Sequence, residues 1–227
     1  MASVVIFGDI TGGHFNPAVT LGVFTSLGEY GKNWLFCLLI ILAQFVGGFA
    51  AIGLNYVGNW NYPSDLTAIL APKNPATGSF DNASGETNWS MDYAVIQNEI
   101  ICTFLFVSVI LMVKGEHTAG DRKGVCAAIC VVLTLLAVIS GTNSLGACFN
   151  PAVGVTLTTN AVIRLNSTLP NNHFLTHYLY AYTVGPAIGG VLAGIFHLFH
   201  KKAHVPDEHL PGFASDQKQG LIDHDYA

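Results

Sequence analysis

The stretch Gly13-His14-Phe15-Asn16-Pro17-Ala18-Val19-Thr20-Leu21 decides the fold, because it recurs in altered form as Ala147-Cys148-Phe149-Asn150-Pro151-Ala152-Val153-Gly154. Each copy is typical of a helix start, with an asparagine at the N-cap, a proline at the first helical position and a short apolar run behind them. The asparagine oxygen can cap the helix while the NH2 group donates elsewhere. Capping alone would explain one copy. Two copies, each ahead of membrane-length apolar segments, indicate a functional site.

The composition indicates a chain that lies in a lipid bilayer. Only 10% of its 227 residues are charged and 51% are hydrophobic, whereas soluble domains carry about 25% charged residues. The net charge of −5 comes largely from loops and the tail, so no nucleic-acid partner is predicted. The five cysteines lie in or beside apolar segments without paired metal-ligand spacing. We therefore expect no disulfide framework, no metal site and no cofactor.

Four segments are long and apolar enough to be membrane spans. They cover about residues 34–57, 93–113, 124–140 and 175–199. Small residues in the first and last of these segments would let neighbouring helices approach closely. The start of the chain is too short to be a further span, since crossing a bilayer takes about 20 apolar residues.

Two independent signals give the same topology for these spans. With the spans alternating in direction, the polar stretches at 58–90 and 158–172 lie on one side. Three candidate glycosylation sequons occur there, at Asn82, Asn88 and Asn166. Lys and Arg concentrate on the other side, in the 114–123 turn and at 201–202, as the positive-inside rule requires for the cytoplasm. The 114–123 turn and the tail are therefore predicted to be cytoplasmic.

This topology sends the two motifs into the membrane from opposite faces. Each apolar run is too short to cross, so we expect two re-entrant half-helices whose Asn16 and Asn150 meet near the bilayer centre. Non-helical backbone at that depth is tolerated only where protein buries it or a polar cavity solvates it. Two half-helices with positive N-terminal ends at a midplane site are the arrangement of an inverted-repeat pore.

These residues resemble the aquaporin, or major intrinsic protein, family over nearly the whole chain up to about residue 200. The stretch Thr11–Thr20 is similar to the family's first signature, Glu99–Phe104 to its fourth-helix motif and Val184–Gly190 to its sixth-helix motif. The resemblance implies an all-α membrane protein, an inverted-repeat bundle of six tilted helices and two half-helices. It places a channel domain at 1–200, followed by a polar tail at 201–227 that we expect to be disordered.

The resemblance also implies a function, a passive channel for water and for small neutral solutes such as glycerol. Its pore residues would be Asn16, Pro17, Ala18, Asn150, Pro151 and Ala152. The two asparagines would donate hydrogen bonds to the solute, and the facing helix dipoles would exclude cations. Glu99 would accept bonds from the backbone before the second motif, the alternative being a glutamate that reaches the membrane interface. His14 would lie at the inner pore mouth, or would bond the loop backbone as a structural residue.

The outer constriction departs from the family pattern. The family usually has arginine directly after the second Asn-Pro-Ala, where this chain has Val153, and the glycerol-type aspartate that follows is replaced by Gly154. The positions twelve and three residues before Asn150 hold Val138 and Ala147. We therefore expect Val138, Ala147 and Val153 to form a wider, apolar selectivity filter without a fixed cation.

The family's first helix and most of its second have no counterpart before Thr11. The sequence is therefore expected to be incomplete at its N-terminus, or the protein to be a divergent member whose wall another chain completes. The alternative function is a non-conducting structural subunit of a larger membrane assembly. An enzyme is not expected, since no Ser-His-Asp set, phosphate loop or metal constellation appears.

The expected partners are the lipid bilayer, water and small neutral solutes, and further copies in a homotetramer or another subunit of a larger membrane complex. The sequons indicate a secretory-pathway membrane, most simply the plasma membrane. His197, His200 and His204 fall on one helical face. We interpret them as a solvated helix end, with a metal site or pH gate as the less favoured alternative.

Overall fold

The computed structural model describes residues 12–58, 70–73, 80, 89–114, 145, 147–165 and 174–203. Over these residues the protein is helical, and the predicted all-α fold class is confirmed. The helices are α1 (Pro17–Leu27), α2 (Tyr30–Gly58), α3 (Trp89–Lys114), α4 (Pro151–Leu165), α5 (Phe174–His177) and α6 (Leu179–Ala203). The one extended pairing in the described ranges is an isolated bridge between Lys73 and Phe80.

Three helical segments of the described chain are long and apolar enough to cross a membrane, at Tyr30–Gly58, Trp89–Met112 and Leu175–Lys201. They correspond to the first, second and last predicted spans. The first two begin one turn earlier than predicted, because the first turn of each helix contains polar residues that apolar content does not capture. Lys32 is exposed and paired with Glu29, whereas Asp92 is buried and paired with His177. The predicted span at 124–140, the three sequons, most of the 114–123 turn and most of the tail lie outside the described residues.

Helices α3 and α6 form the most extensive contact among the described helices, and glycines of α6 make it possible. A Cβ atom on Gly189 would lie 2.5 Å from the Ile100 carbonyl oxygen, so only glycine lets the two backbones approach this closely. Half-helix α1 packs against the same pair through Gly22 and Gly190, where a Cβ on Gly190 would lie 2.2 Å from the Ala18 carbonyl oxygen. These close contacts hold α1 at the centre of the bundle.

Half-helix α4 lies beside α6 and α2. A Cβ on Gly154 would lie 2.5 Å from the Tyr182 carbonyl oxygen, and one on Gly48 would lie 2.5 Å from Thr156. Elsewhere α2 is mostly exposed, and Cys37 is its only buried residue within the described structure. Its exposed side chains are largely apolar, which suits a helix that contacts lipid or other membrane helices.

Candidate functional site

Both Asn-Pro-Ala motifs begin half-helices that their asparagines cap. The side-chain oxygen of Asn16 accepts a hydrogen bond from the Ala18 N–H at 2.8 Å. The oxygen of Asn150 likewise accepts from the Ala152 N–H at 3.0 Å. Pro17 and Pro151 are the first helical residues of α1 and α4, where the N–H group that proline lacks would have had no helical partner.

The two motifs are bonded to each other through their side-chain amides. The NH2 group of Asn16 donates to the Phe149 carbonyl at 2.8 Å, and that of Asn150 donates to the Phe15 carbonyl at 3.1 Å. Phe15 and Phe149 both have positive φ angles, 41° and 50°. This left-handed conformation costs a residue with a side chain about 1–2 kcal/mol. The positive φ angle occurs at the same place in both copies. In each copy it belongs to the residue whose carbonyl accepts a hydrogen bond from the asparagine amide of the other copy.

The amide nitrogens keep further donor capacity after this exchange. An asparagine NH2 group has two protons, and each of these bonds uses one of them. Asn16 is buried, with 7% of its surface exposed, whereas Asn150 is half-buried and lines a cavity. Of the two motif asparagines, Asn150 is the one among the described residues that line this cavity.

Glu99 supports the second motif from the side of α3. It is 0% exposed, and its two carboxyl oxygens accept hydrogen bonds from the Cys148 N–H at 2.8 Å and the Phe149 N–H at 2.9 Å. Both N–H groups lie before the start of α4 and so have no hydrogen-bond partner within a helix. An unpaired N–H group costs several kcal/mol where water is excluded. Glu99 is thus bonded inside the protein, to the loop before the second motif.

A cavity of about 480 Å³ lies between α2, α4 and the loop before α1. Its lining residues are His14, Phe15, Ile40, Ala43, Gln44, Gly47, Gly48, Asn150, Ala152, Val153 and Thr156. No carboxylate, lysine or arginine is among these described lining residues. Val153 is on the wall, so the position after the second Asn-Pro-Ala contributes an apolar surface there. The polar groups that line the cavity belong to His14, Gln44, Asn150 and Thr156.

The basic residue of α4 is at the other end of the helix. Arg164 donates to the Asn55 carbonyl at 3.3 Å, and its guanidinium carbon lies 5.3 Å from the centre of the Tyr56 ring. It follows Val153 by eleven residues, which is roughly 16 Å along a helix. Arg164 is therefore bound to α2 and does not replace the arginine that the family usually has after the motif.

The structure brings only some of the predicted site residues together. His14, Asn150, Ala152 and Val153 share the cavity wall, and Glu99 lies behind the second motif. Buried behind the wall are Asn16, Pro17, Ala18 and Pro151. Ala147 is half-buried and is not part of this wall. Val138 and the sequon asparagines lie outside the described residues.

Gln44 is a site residue whose role the sequence did not indicate. Its Nε2 donates to the Thr20 hydroxyl at 2.9 Å, and this hydroxyl donates in turn to the Asn16 carbonyl at 3.1 Å. A hydrogen-bonded chain therefore joins the membrane helix α2 to the first motif. The one available signal was that Gln44 is the only strongly polar residue in the interior of an otherwise apolar span.

No group of three metal-ligating side chains occurs among the residues that the structure describes. The described cysteines, Cys37, Cys102 and Cys148, are free. His197 and His200 lie in α6 close to its C-terminal end, and His204 is outside the described ranges.

Known proteins with similar sequences indicate the family of the chain. Residues 1–197 match the sequence profile of the family described as "Major intrinsic protein". The chain is 27% identical to Aquaporin-4 of Milnesium tardigradum over 92% of this chain and 60% of the relative. It is 27% identical to Aquaporin Z of Photorhabdus laumondii over 86% of this chain and 75% of the relative. A probable aquaporin NIP-type of Nicotiana alata is 32% identical over 86% of this chain and 60% of the relative.

The chain thus spans only 60% of the length of two of these relatives. The family match nevertheless covers most of this chain, including both motifs, and the described helices have the length and composition of membrane spans. The chain is therefore an integral membrane protein that belongs to the major intrinsic protein family.

Proposed function

We propose that this chain forms a passive channel for water and small neutral solutes. The observation that carries the proposal is the pair of capped half-helices whose asparagine amides bond reciprocally. They lie beside a cavity whose described lining contains no carboxylate, lysine or arginine. Membership of the major intrinsic protein family and similarity to proteins named aquaporins support the same function.

In the proposed mechanism, the second amide proton of Asn150 donates to the oxygen of a passing solute. That bond replaces part of the hydration that the solute loses in the membrane. Asn16 acts from behind the wall, where its bond to the Phe149 carbonyl fixes the second motif. The N-terminal ends of α1 and α4 both carry partial positive charge, which opposes the entry of protons and other cations.

We further propose that the pore is permissive rather than specific for water. Val153 contributes an apolar wall at the position where the family usually has arginine, so the described site offers no fixed cation and no guanidinium to narrow the passage. Solutes the size of glycerol and urea should then pass, together with water. The filter roles of Ala147 and Val138 are part of this proposal.

The direct test is stopped-flow light scattering on proteoliposomes that contain the purified chain, with water, glycerol and urea as separate solutes. We expect all three permeabilities to exceed those of empty liposomes. Flux of water alone would refute permissiveness. No flux of any solute would refute the channel and favour the second candidate, a non-conducting structural subunit.

A charged variant tests the role of Val153 in the same experiment. In Val153→Arg we expect the glycerol-to-water permeability ratio to fall on the order of tenfold, because a guanidinium would narrow the cavity and bind its polar groups. The matched control is Ile163→Arg, in the last turn of the same helix, where 56% of the side chain is exposed. An equal fall in both variants would contradict a filter role for position 153.

The second candidate has one specific observation in its favour. Helix α2 is mostly exposed, and large apolar side chains cover its exposed surface. This surface suits assembly with other membrane helices as well as contact with lipid. Three further parts of the proposal come from the sequence. The resemblance suggests a homotetramer, the sequons suggest the plasma membrane, and the basic residues suggest a cytoplasmic tail.

A further inference from the structure

Tyr182 is a fully buried side chain that neither the motifs nor the proposed mechanism uses. It lies in the first turn of α6 with 0% of its surface exposed, packed in a cluster with Leu70, Val95 and Tyr178. Its hydroxyl group donates a hydrogen bond to the Leu145 carbonyl at 2.8 Å. The ring therefore crosses from α6 to the segment that precedes the second motif.

The backbone carbonyl oxygen of Tyr182 makes two further contacts around the second motif. The Cys148 thiol donates to the Tyr182 carbonyl oxygen, with the sulfur 3.2 Å away. The same oxygen is so close to Gly154 that a Cβ atom there would lie 2.5 Å from it. Tyr182 thus contacts the chain at residues 145, 148 and 154, on both sides of the second Asn-Pro-Ala.

Glu99 holds the segment from α3 through the Cys148 and Phe149 N–H groups. The stretch before Asn150 is therefore fixed between two helices, by the Glu99 carboxyl at its C-terminal end and by the Tyr182 hydroxyl at its N-terminal end. Ala147 lies between these two attachments. Since the methyl side chain of Ala147 cannot form a hydrogen bond, the position of this residue depends on the residues on either side of it.

We propose that Tyr182 is a positioning residue for the outer constriction, whose hydroxyl sets the place of Ala147 and so the width available to solutes. The inference rests on the proposed channel function. It assigns the selectivity of the constriction partly to a side chain on α6 that does not line the passage. Without the hydroxyl, the Leu145 carbonyl loses its hydrogen bond, and the stretch from 145 to 148 can move away from the second motif.

The test is Tyr182→Phe, which keeps the ring in its cluster and removes only the oxygen. The readout is the ratio of glycerol to water permeability in proteoliposomes. After the permeability of empty liposomes is subtracted for each solute, this ratio does not depend on how many channels are folded, so a merely structural defect leaves it unchanged. We expect the ratio to rise about threefold, because a looser segment widens the constriction. The matched control is Tyr180→Phe, on the same helix with 42% of the side chain exposed, which should leave the ratio unchanged.

A second readout does not require transport. The rate at which a small membrane-permeant thiol reagent labels Cys148 should rise in Tyr182→Phe, with Cys148→Ser as the background. An unchanged ratio with unchanged labelling would overturn the inference. If the wild-type chain conducts nothing, the channel proposal fails, and faster or unchanged labelling alone decides whether the Tyr182 hydroxyl holds the segment.

Discussion

At the scale of single residues, the site is held by side chains that take the place of water as hydrogen-bond partners. The Glu99 carboxyl accepts hydrogen bonds from two backbone N–H groups of the loop before the second motif. The side-chain oxygen of each motif asparagine accepts one or two from N–H groups at the start of its half-helix. Within a membrane these bonds have no solvent substitute, so each of them should matter more for stability than it would on a soluble surface.

Glu99→Gln tests this view, because glutamine keeps the shape of glutamate but replaces one acceptor oxygen with a donor NH2 group. That group would face a backbone N–H, leaving it unsatisfied at a cost of about 2 kcal/mol. For a chain of this size, the loss corresponds to a decrease in melting temperature of about 6 °C. The measurement is thermal unfolding in detergent, followed by tryptophan fluorescence.

The control for that variant is Glu29→Gln. Glu29 is exposed and forms a surface pair with Lys32 at 3.5 Å, so its replacement should leave the melting temperature unchanged. Equal melting temperatures for Glu99→Gln and the wild-type chain would show that the carboxyl group is not needed to hold the loop.

The sequence predicted the capping asparagines because Asn-Pro at a helix start has a local physical reason. It indicated Glu99 because an acidic residue deep in an apolar span needs a partner. It could not predict the left-handed conformation of Phe15 and Phe149, since nothing in a phenylalanine favours positive φ. Tyr182 was missed for a similar reason, because a tyrosine near a span end usually indicates only the membrane interface.

At the scale of elements, the two halves of the chain use related contacts between a half-helix and a glycine-bearing span. Gly22 of α1 and Thr156 of α4 each lie six residues after a motif asparagine, and each contacts a glycine, Gly190 of α6 or Gly48 of α2. The glycines that directly precede Gly190 and Gly48 differ in how closely their surroundings pack. Gly189 is packed tightly against α3, whereas no described atom lies within 4 Å of the place where a Cβ on Gly47 would be.

Alanine at these two positions should therefore have opposite effects. Gly189→Ala would place a Cβ 2.5 Å from the Ile100 carbonyl oxygen, and we expect this overpacking to destabilise the protein by about 1–3 kcal/mol. Gly47→Ala meets no described neighbour, so its melting temperature should equal or exceed that of the wild type. The measurement is thermal stability by size-exclusion chromatography in detergent. Equal destabilisation in both variants would mean that another helix packs on α2 in the purified protein.

Sequence reasoning found the described membrane helices but not the faces they use. Length and apolar content predicted α2, α3 and α6 because the bilayer requires both properties. In a helix such as α2, apolar side chains occur all the way round, so no periodicity distinguishes the face with Ile40, Gln44 and Gly47 from the others. The packing of α4 beside α2 is what identifies this face.

At the scale of the whole molecule, the orientation of the chain in the membrane remains a prediction from the sequence. It rests on the sequons at 58–90 and 158–172 and on the basic residues at 114–123 and 201–202. Glycosylation occurs on the lumenal side of the secretory pathway. The sequon side should therefore be glycosylated and the basic side should not.

Expression in a glycosylating microsomal system tests this orientation. We expect glycosidase treatment to increase the gel mobility of the wild-type chain, and the combined variant Asn82→Gln, Asn88→Gln, Asn166→Gln to lose the effect. Glu116→Asn, made in that combined variant, completes a sequon with His117 and Thr118 in the opposite turn. This turn should stay unmodified, and its glycosylation would reverse the predicted orientation.

The reciprocal bonding of the motifs has a consequence for how the protein is made. Asn16 and the carbonyl that receives its amide, that of Phe149, are 133 residues apart in the chain. At ribosomal speeds of about 5–20 residues per second, on the order of ten seconds pass between their syntheses. The first re-entrant segment therefore cannot reach its final hydrogen-bonded place when it leaves the ribosome. Its assembly is completed only after the second segment has been translated.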